Sequence, residues 1–319
     1  MFDRIHYDRR YESLLEVYRS GSYTAAGNAL ALTPSAVAQQ VRSVERELDA
    51  VLFERGDRRL VPTRECEVIV KYIEKIQSMC RRMSDDVELS KKNLGRLAVG
   101  VTPSAMSIAL TGVLEKLTDR IPTMQLAVTT GTAPQLCEQL ENYAIDLAVI
   151  EGSYPAVGLS EVMLDTDHLC VVVPPDSDYA QRGVITLPEL QSEPLIMKPK
   201  ESGTGRLFSA ALEGAGIPAE KFTVIMEVES VDTIIRLVSG HYGISVLSSK
   251  ACAAAAESGR IVTVPLRGIS MTRSIRLVYR RRQDCRELLG LIQRSYAAEM
   301  CARGPIENYI KQERETKAT

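Results

Sequence analysis

From Thr63 to Leu89 the chain contains neither proline nor glycine. Its apolar positions there are Cys66, Ile69, Ile73, Ile76, Cys80, Met83 and Val87, spaced alternately three and four residues apart. That alternation is a heptad seam. A helix of roughly 27 residues would be ~40 Å long, more than the width of a small domain. Such a rod can pack along its own domain as an ordinary amphipathic helix. The strict seam favours pairing with a second copy of the chain. The rod also separates two stretches of different texture.

On the N-terminal side, Tyr7 to Ser20 reads as a helix with Tyr11, Leu14, Leu15 and Tyr18 on one face. Ser22 is the N-cap candidate for a helix from Tyr23 to about Ala31. Thr33 is the next, with Pro34 at the first helical position, where a missing N–H costs nothing. The third helix runs to about Leu48 and buries Val37, Val41, Val44 and Leu48. Val51–Phe53 and Arg59–Val61 then flank Gly56-Asp57 as a small hairpin or wing. A helix, a tight turn, a second helix and a wing can set the start of the second helix against base edges. Pro34, Ser35, Ala36, Gln39, Gln40 and Arg42 occupy or border its outer face. Glutamine can bind adenine and arginine guanine, each through two hydrogen bonds. The hydroxyls of Ser22, Thr24, Thr33 and Ser35 suit phosphates, and Arg55, Arg58 and Arg59 place positive charge on the wing. A plain helical hairpin is the alternative. Residues 1–64 carry ten Lys+Arg against nine Asp+Glu, so the DNA reading depends on placement rather than net charge.

Beyond Gly95, short apolar runs alternate with helical ones: "RLAVGV", "QLAVTT", "LAVI", "LCVVV", "PLIM", "FTVIMEV", "GISVL" and "IRLVY". Alternation of this kind implies parallel sheets covered on both faces. Pro174-Pro175 and Leu266–Thr272 flank a middle portion, which suits two α/β lobes joined by two crossover strands. Ligands of such sheets bind beyond the carboxyl ends of the strands. There the sequence places Thr102, Pro103 and Ser104, then Thr130 and Thr132, then Glu151. Ser202, Gly203 and Thr204 open one later helix, and Glu229, Ser230 and Val231 another. Converging helix N-termini favour an anion. Each hydroxyl can also be a simple N-cap. The carboxylates of Glu151 and Glu229 favour an amine, so an amino-acid-like zwitterion satisfies both sets.

Several classes are disfavoured. The net charge of −2 excludes a general polycation, and no apolar run approaches a membrane span. The charged start "MFDRIHYDRR" has no secretory core. Seven scattered cysteines without a C-x-x-C fit a reducing cytoplasm as free thiols, and Cys137 and Cys170 are the candidates for any redox role. His6, His168 and His241 have no metal-ligand spacing, "SGTG" lacks the Lys of a phosphate loop, and no cofactor motif is present. An enzyme would need an activated nucleophile, an acid/base pair or a metal set, and none is found. A solute-binding transport component would have no use for the N-terminal module.

Residues 11–64 resemble the DNA-binding domain of LysR-type transcriptional regulators, through "GSYTAAGNALALTPSAVAQQVRSVEREL" and "LFERGDRRLVPT". The resemblance extends through the heptad helix and the α/β half. It implies a winged helix-turn-helix at 1–64, a dimerising linker helix at 65–92, and an effector domain at 93–302 similar to periplasmic binding proteins. Lobe 1 would span about 95–166 and 268–302, lobe 2 about 167–267, with a polar tail at 303–319. It further implies a homodimer or dimer of dimers on promoter DNA, a small-molecule effector held chiefly around Thr102–Ser104, Ser202–Thr204 and Ser230, and contact with RNA polymerase. Two departures stand out. Ala38-Gln39 replaces the family's common Ser-Arg, and "PTREC" opens the linker helix.

Overall fold

The computed structural model describes residues 8–56, 59–154, 158–281 and 286–302. Arg58, Asp57, His6 and the 303–319 tail, all singled out above, lie outside them. The chain divides into two compact units: Met1–Gly95 with Glu141–Ala144, and the remainder.

The first unit begins with α1 (Arg9–Ser20), α2 (Tyr23–Leu30) and α3 (Pro34–Leu48). Each has the cap its sequence calls for. Asp8, Ser22 and Thr33 accept from the backbone N–H of Arg10, Ala25 and Ala36. The α2–α3 turn is tight because Ala31 adopts a left-handed conformation and Gly27 carries no side chain. A Cβ at Gly27 would lie 2.7 Å from the Leu32 carbonyl oxygen. Strands β1 (Phe53–Arg55) and β2 (Leu60–Pro62) pair antiparallel as the wing. Leu60 N–H donates to the Gly21 carbonyl at 2.9 Å, so the wing is fastened to the α1–α2 turn. Helix α4 (Arg64–Ser90) is 27 residues long and is capped by Thr63.

One apolar core joins these pieces. Leu14, Leu15 and Val17 meet Ala26, Val37, Val41, Val44 and Leu52, and α4 contributes Cys66, Val70 and Ile73, with Ile69 packed alongside. The first third of the seam is therefore occupied by its own domain. Ile73 is only 2% exposed, whereas Ile76, Met83 and Val87 are 42%, 47% and 42% exposed. The heptad spacing registers which face is apolar. It does not register where the neighbouring helices end and stop covering it.

The second unit has a seven-stranded sheet, in the order β10-β6-β11-β5-β3-β4 with β9 also on β6. Its strands are β3 (Gly95–Val101), β4 (Met124–Thr130), β5 (Leu147–Glu151), β6 (Leu159–Val173), β9 (Ser245–Ser248), β10 (Val262–Val264) and β11 (Thr272–Arg280). The remaining pair, β7 (Pro194–Met197) with β8 (Thr223–Glu227), is parallel and bridged to the run before β9 through Leu195 and Ile244. Strand β6 makes the two-lobed design. Its residues Leu159–His168 pair with β11, then Leu169–Val172 pair with β9 and Val171–Val173 with β10. One continuous strand thus leaves the first lobe and enters the second, and β11 returns. Because they cross in opposite directions, β11 is antiparallel to both β6 and β5, while β3 and β5 are parallel. The expected parallel pairing is therefore found for β3 with β5 and β7 with β8, whereas the pairs made by β6 and β11 are antiparallel.

Alternation within strands explains the layering, since successive side chains point to opposite faces. Leu97, Val99 and Val101 enter one core with Leu147, Val149 and Ile275. Ala98, Ala148, Ile150 and Val278 enter the core on the other face. In the second lobe Leu169, Val171 and Val173 face one core, Cys170 and Val172 the other. Covering these faces are α6 (Thr111–Arg120), α7 (Ala133–Glu141), α10 (Gly203–Gly214), α11 (Val231–Ser239), α12 (Ser249–Glu257) and α13 (Arg286–Ala302). The short α5 (Pro103–Ala105) leads through a π-helical stretch, Met106–Leu110, into α6. The short α8 (Asp178–Arg182) and α9 (Leu187–Ser192) complete the second lobe.

Candidate DNA-binding and effector sites

At the candidate DNA-binding surface, the first turns of α3 present exposed residues. Thr33, Pro34, Ser35, Gln39 and Arg42 are exposed, as are Thr24 on α2 and Arg55 and Arg59 on the wing. Ser22 and Thr33 cap their helices, and the Thr33 and Ser35 hydroxyls lie 3.1 Å apart. Gln40 is placed differently. Its side-chain oxygen accepts from the hydroxyl of Ser13, which is 0% exposed. A carboxamide committed in this way aligns α1 with α3. The outward set that remains is Ser35, Gln39 and Arg42, with the wing arginines. Arg10 adds to the α1–α3 contact through Ser43 at 3.0 Å and Glu47 at 2.8 Å.

In the second unit, the ends of β3 and β5 meet the start of α10. Thr102 stands at the N-cap position of α5 but makes no capping bond with its side chain: its hydroxyl donates to Oε2 of Glu151 at 2.7 Å. Ser104 and Thr204, from opposite lobes, bring their hydroxyls to 3.4 Å. Glu151 in turn lies 3.4 Å from Nη2 of Arg273 on β11. Arg273 donates through Nε and Nη2 to one oxygen of Asp167 on β6, at 2.9 and 2.8 Å. The other Asp167 oxygen accepts from Ser248, the N-cap of α12, at 3.0 Å. Every member of this cluster is buried, which is costly for charges unless they are paired.

The electrostatics follow the burial. Removal from water pushes the Glu151 carboxyl above its usual range, against the opposing pull of Arg273 and the Thr102 hydroxyl. Lys198, which follows β7 and is 3% exposed, is pushed downward by burial, against the charges of Glu151 and Glu229. A cavity of about 370 Å³ borders the cluster, with Glu151, Gly203, Arg206, Arg273 and Arg276 in its wall.

Thr102, Ser104, Glu151, Gly203 and Thr204 are thus drawn into one neighbourhood, and Pro103 starts the helix between them. The other candidates are elsewhere or engaged locally. Thr130 is exposed, and Thr132 bonds Gln135 within its own turn. Ser202 and Ser230 accept from Gly205 and Thr233 as N-caps. Glu229 is exposed, and Val231 is in the α11 core. Sequence reasoning missed Asp167, Lys198 and Arg273. Each sits within or beside a strand whose partner comes from far along the chain, so no local spacing pointed to it. Cys137 and Cys170 are buried, and burial holds the Cys170 thiol well above its usual range. No group of residues suited to a metal ion occurs among the described residues, and none of their helices is long and apolar enough to cross a membrane.

Comparison with known proteins identifies both halves of the chain. The family model of the bacterial regulatory helix-turn-helix protein, lysR family, matches residues 9–67, and that of the LysR substrate binding domain matches residues 90–295. A probable RuBisCO transcriptional regulator of Trichormus variabilis is 25% identical over 263 residues, covering 81% of this chain and 78% of that protein. The regulator CbbR of Xanthobacter flavus is 28% identical over 257 residues, covering 80% and 76%. The fold is that of full-length CbnR, solved in complex with its target DNA, at a TM-score of 0.60 and 18% identity over 91% of this chain and 99% of that one. These relatives are regulators rather than enzymes, and the chain belongs to the LysR family of transcriptional regulators.

Proposed function

We propose that the protein is a cytoplasmic, nucleoid-associated regulator that binds promoter DNA as a homodimer or dimer of dimers and answers to a small anionic or zwitterionic effector. The observation that carries this reading is the pairing of two exposed or polar sites on one chain. The outer face of α3 offers Ser35, Gln39 and Arg42, and the two-lobed unit buries a polar cluster between its crossover strands. Thr24, Thr33, Arg55 and Arg59 hold the flanking phosphates. The part of the α4 seam beyond the domain core, Ile76, Cys80, Met83 and Val87, pairs with its copy and sets the spacing of two half-sites. The effector lies against Thr102, Ser104, Glu151, Gly203 and Thr204. It shifts the balance between arrangements of the lobes, because it binds one better than the other. The resulting change in DNA geometry alters contact with RNA polymerase.

Nuclease footprinting on the DNA upstream of the protein's own gene and its neighbours tests this directly. Protection of two half-sites about one helical turn apart, or a multiple of it, is expected. Uniform, salt-sensitive coating without protected half-sites refutes a sequence-specific regulator.

A further inference from the structure

Two buried polar atoms of the effector cluster have no hydrogen-bond partner: Oε1 of Glu151 and Nη1 of Arg273. Their side chains are 1% and 2% exposed. One is an acceptor and the other a donor. Thr102 engages the other carboxylate oxygen and Asp167 the rest of the guanidinium, while Oε1 keeps only an ion-pair contact with Nη2 of Arg273 at 3.4 Å. Both residues border the 370 Å³ cavity, and so does Gly203 at the start of α10. A Cβ at Gly203 would stand 3.5 Å from Nη1 of Arg273 and 3.6 Å from Oε2 of Glu151. The first turn of a twelve-residue helix, whose leading amides lack intrahelical partners, therefore adjoins Nη1 of Arg273 and the carboxylate of Glu151.

The two unsatisfied atoms decide what fits. Beside them Arg273 and Lys198 face Glu151 and Asp167, and Arg206 and Arg276 also line the cavity, Arg276 paired with Glu161 at 3.6 Å. A phosphate or a plain carboxylate would satisfy Nη1 but set negative charge against Oε1 of Glu151, and a simple amine would leave Nη1 without an acceptor. A molecule with both charges one carbon apart satisfies both atoms. Building on the effector-cleft reading above, we infer that the ligand is a 2-amino carboxylic acid. Its carboxylate accepts from Nη1 of Arg273 and the leading amides of α10, and its ammonium donates to Oε1 of Glu151. The cavity is at the small end of ligand pockets, as a single amino acid requires.

The test is a thermal-shift screen of the full-length protein with the common amino acids, followed by titration calorimetry with matched sets. Alanine, lactate and propionate form one set, and aspartate, malate and succinate another. In the set of the responding side chain, the 2-amino member should bind about tenfold tighter than both counterparts, the size of a charge-assisted hydrogen bond. Glu151→Gln should remove its advantage over the 2-hydroxy acid. Gly203→Ala, whose methyl group makes only ordinary contacts, should abolish binding while leaving the melting temperature unchanged. Equal affinity across a set, preference for the hydroxy or unsubstituted acid, or no binding of any amino acid at about 10 mM overturns the inference. Footprinting separates the two levels. Retained half-site protection with no amino-acid binding sinks the ligand class alone, whereas lost protection sinks the regulatory reading itself.

Discussion

Gln39 and Gln40 are neighbours in sequence with different environments. Gln39 points to solvent, while Gln40 is bonded to Ser13 in the core of the domain. Replacing Gln40 with alanine should cost about 1 kcal/mol of stability, because the buried Ser13 hydroxyl loses its partner. A denaturant midpoint lowered in Gln40→Ala and unchanged in Gln39→Ala is the expected pattern. Glu151 makes a second prediction at this scale. Its carboxyl titrates higher folded than unfolded, so its contribution is complete below its ordinary value of 4.5 and is lost as pH rises through the elevated folded value. The melting temperature of the wild type relative to Glu151→Gln should therefore fall as pH is raised from 4.5 toward neutrality. A difference that does not vary with pH would contradict the assignment.

Helix α4 shows what a heptad pattern can and cannot specify. Ile73 and Met83 both belong to the seam, yet one lies in the helix-turn-helix core and the other is exposed. Ile73→Ala should destabilise the N-terminal unit by about 2–5 kcal/mol through the cavity it leaves. Met83→Asp should leave that unit folded and dissociate the oligomer, as sedimentation would report. If Met83→Asp stays fully dimeric, the exposed seam is not the pairing face. Most elements were legible in advance because their signals are local: Ser22, Thr33 and Pro34 announced two helix starts, and apolar runs announced strands. The first half of β6 was not, because "SEVMLDTD" mixes charges into a strand that pairs on both sides over only part of its length.

The proposed reading head and the proposed sensing cluster lie on one chain, and the sequence disclosed the two unequally. The head was legible because helix, turn, helix and wing are contiguous. In the cluster, Thr102, Ser104, Glu151 and Thr204 stood out as polar residues at strand or helix ends. Asp167 and Arg273 did not, since they meet only when β6 and β11 cross between the lobes. The central claim is that α3 reads bases. It is tested most directly by fluorescence anisotropy of the wild type and a Gln39→Ala/Arg42→Ala variant on footprinted and scrambled duplexes at one salt concentration. Each base contact should be worth roughly 1–3 kcal/mol, so the variant should lose most of its preference for the footprinted site while its affinity for scrambled DNA falls only by the share due to lost charge. An unchanged ratio of the two affinities would contradict the claim.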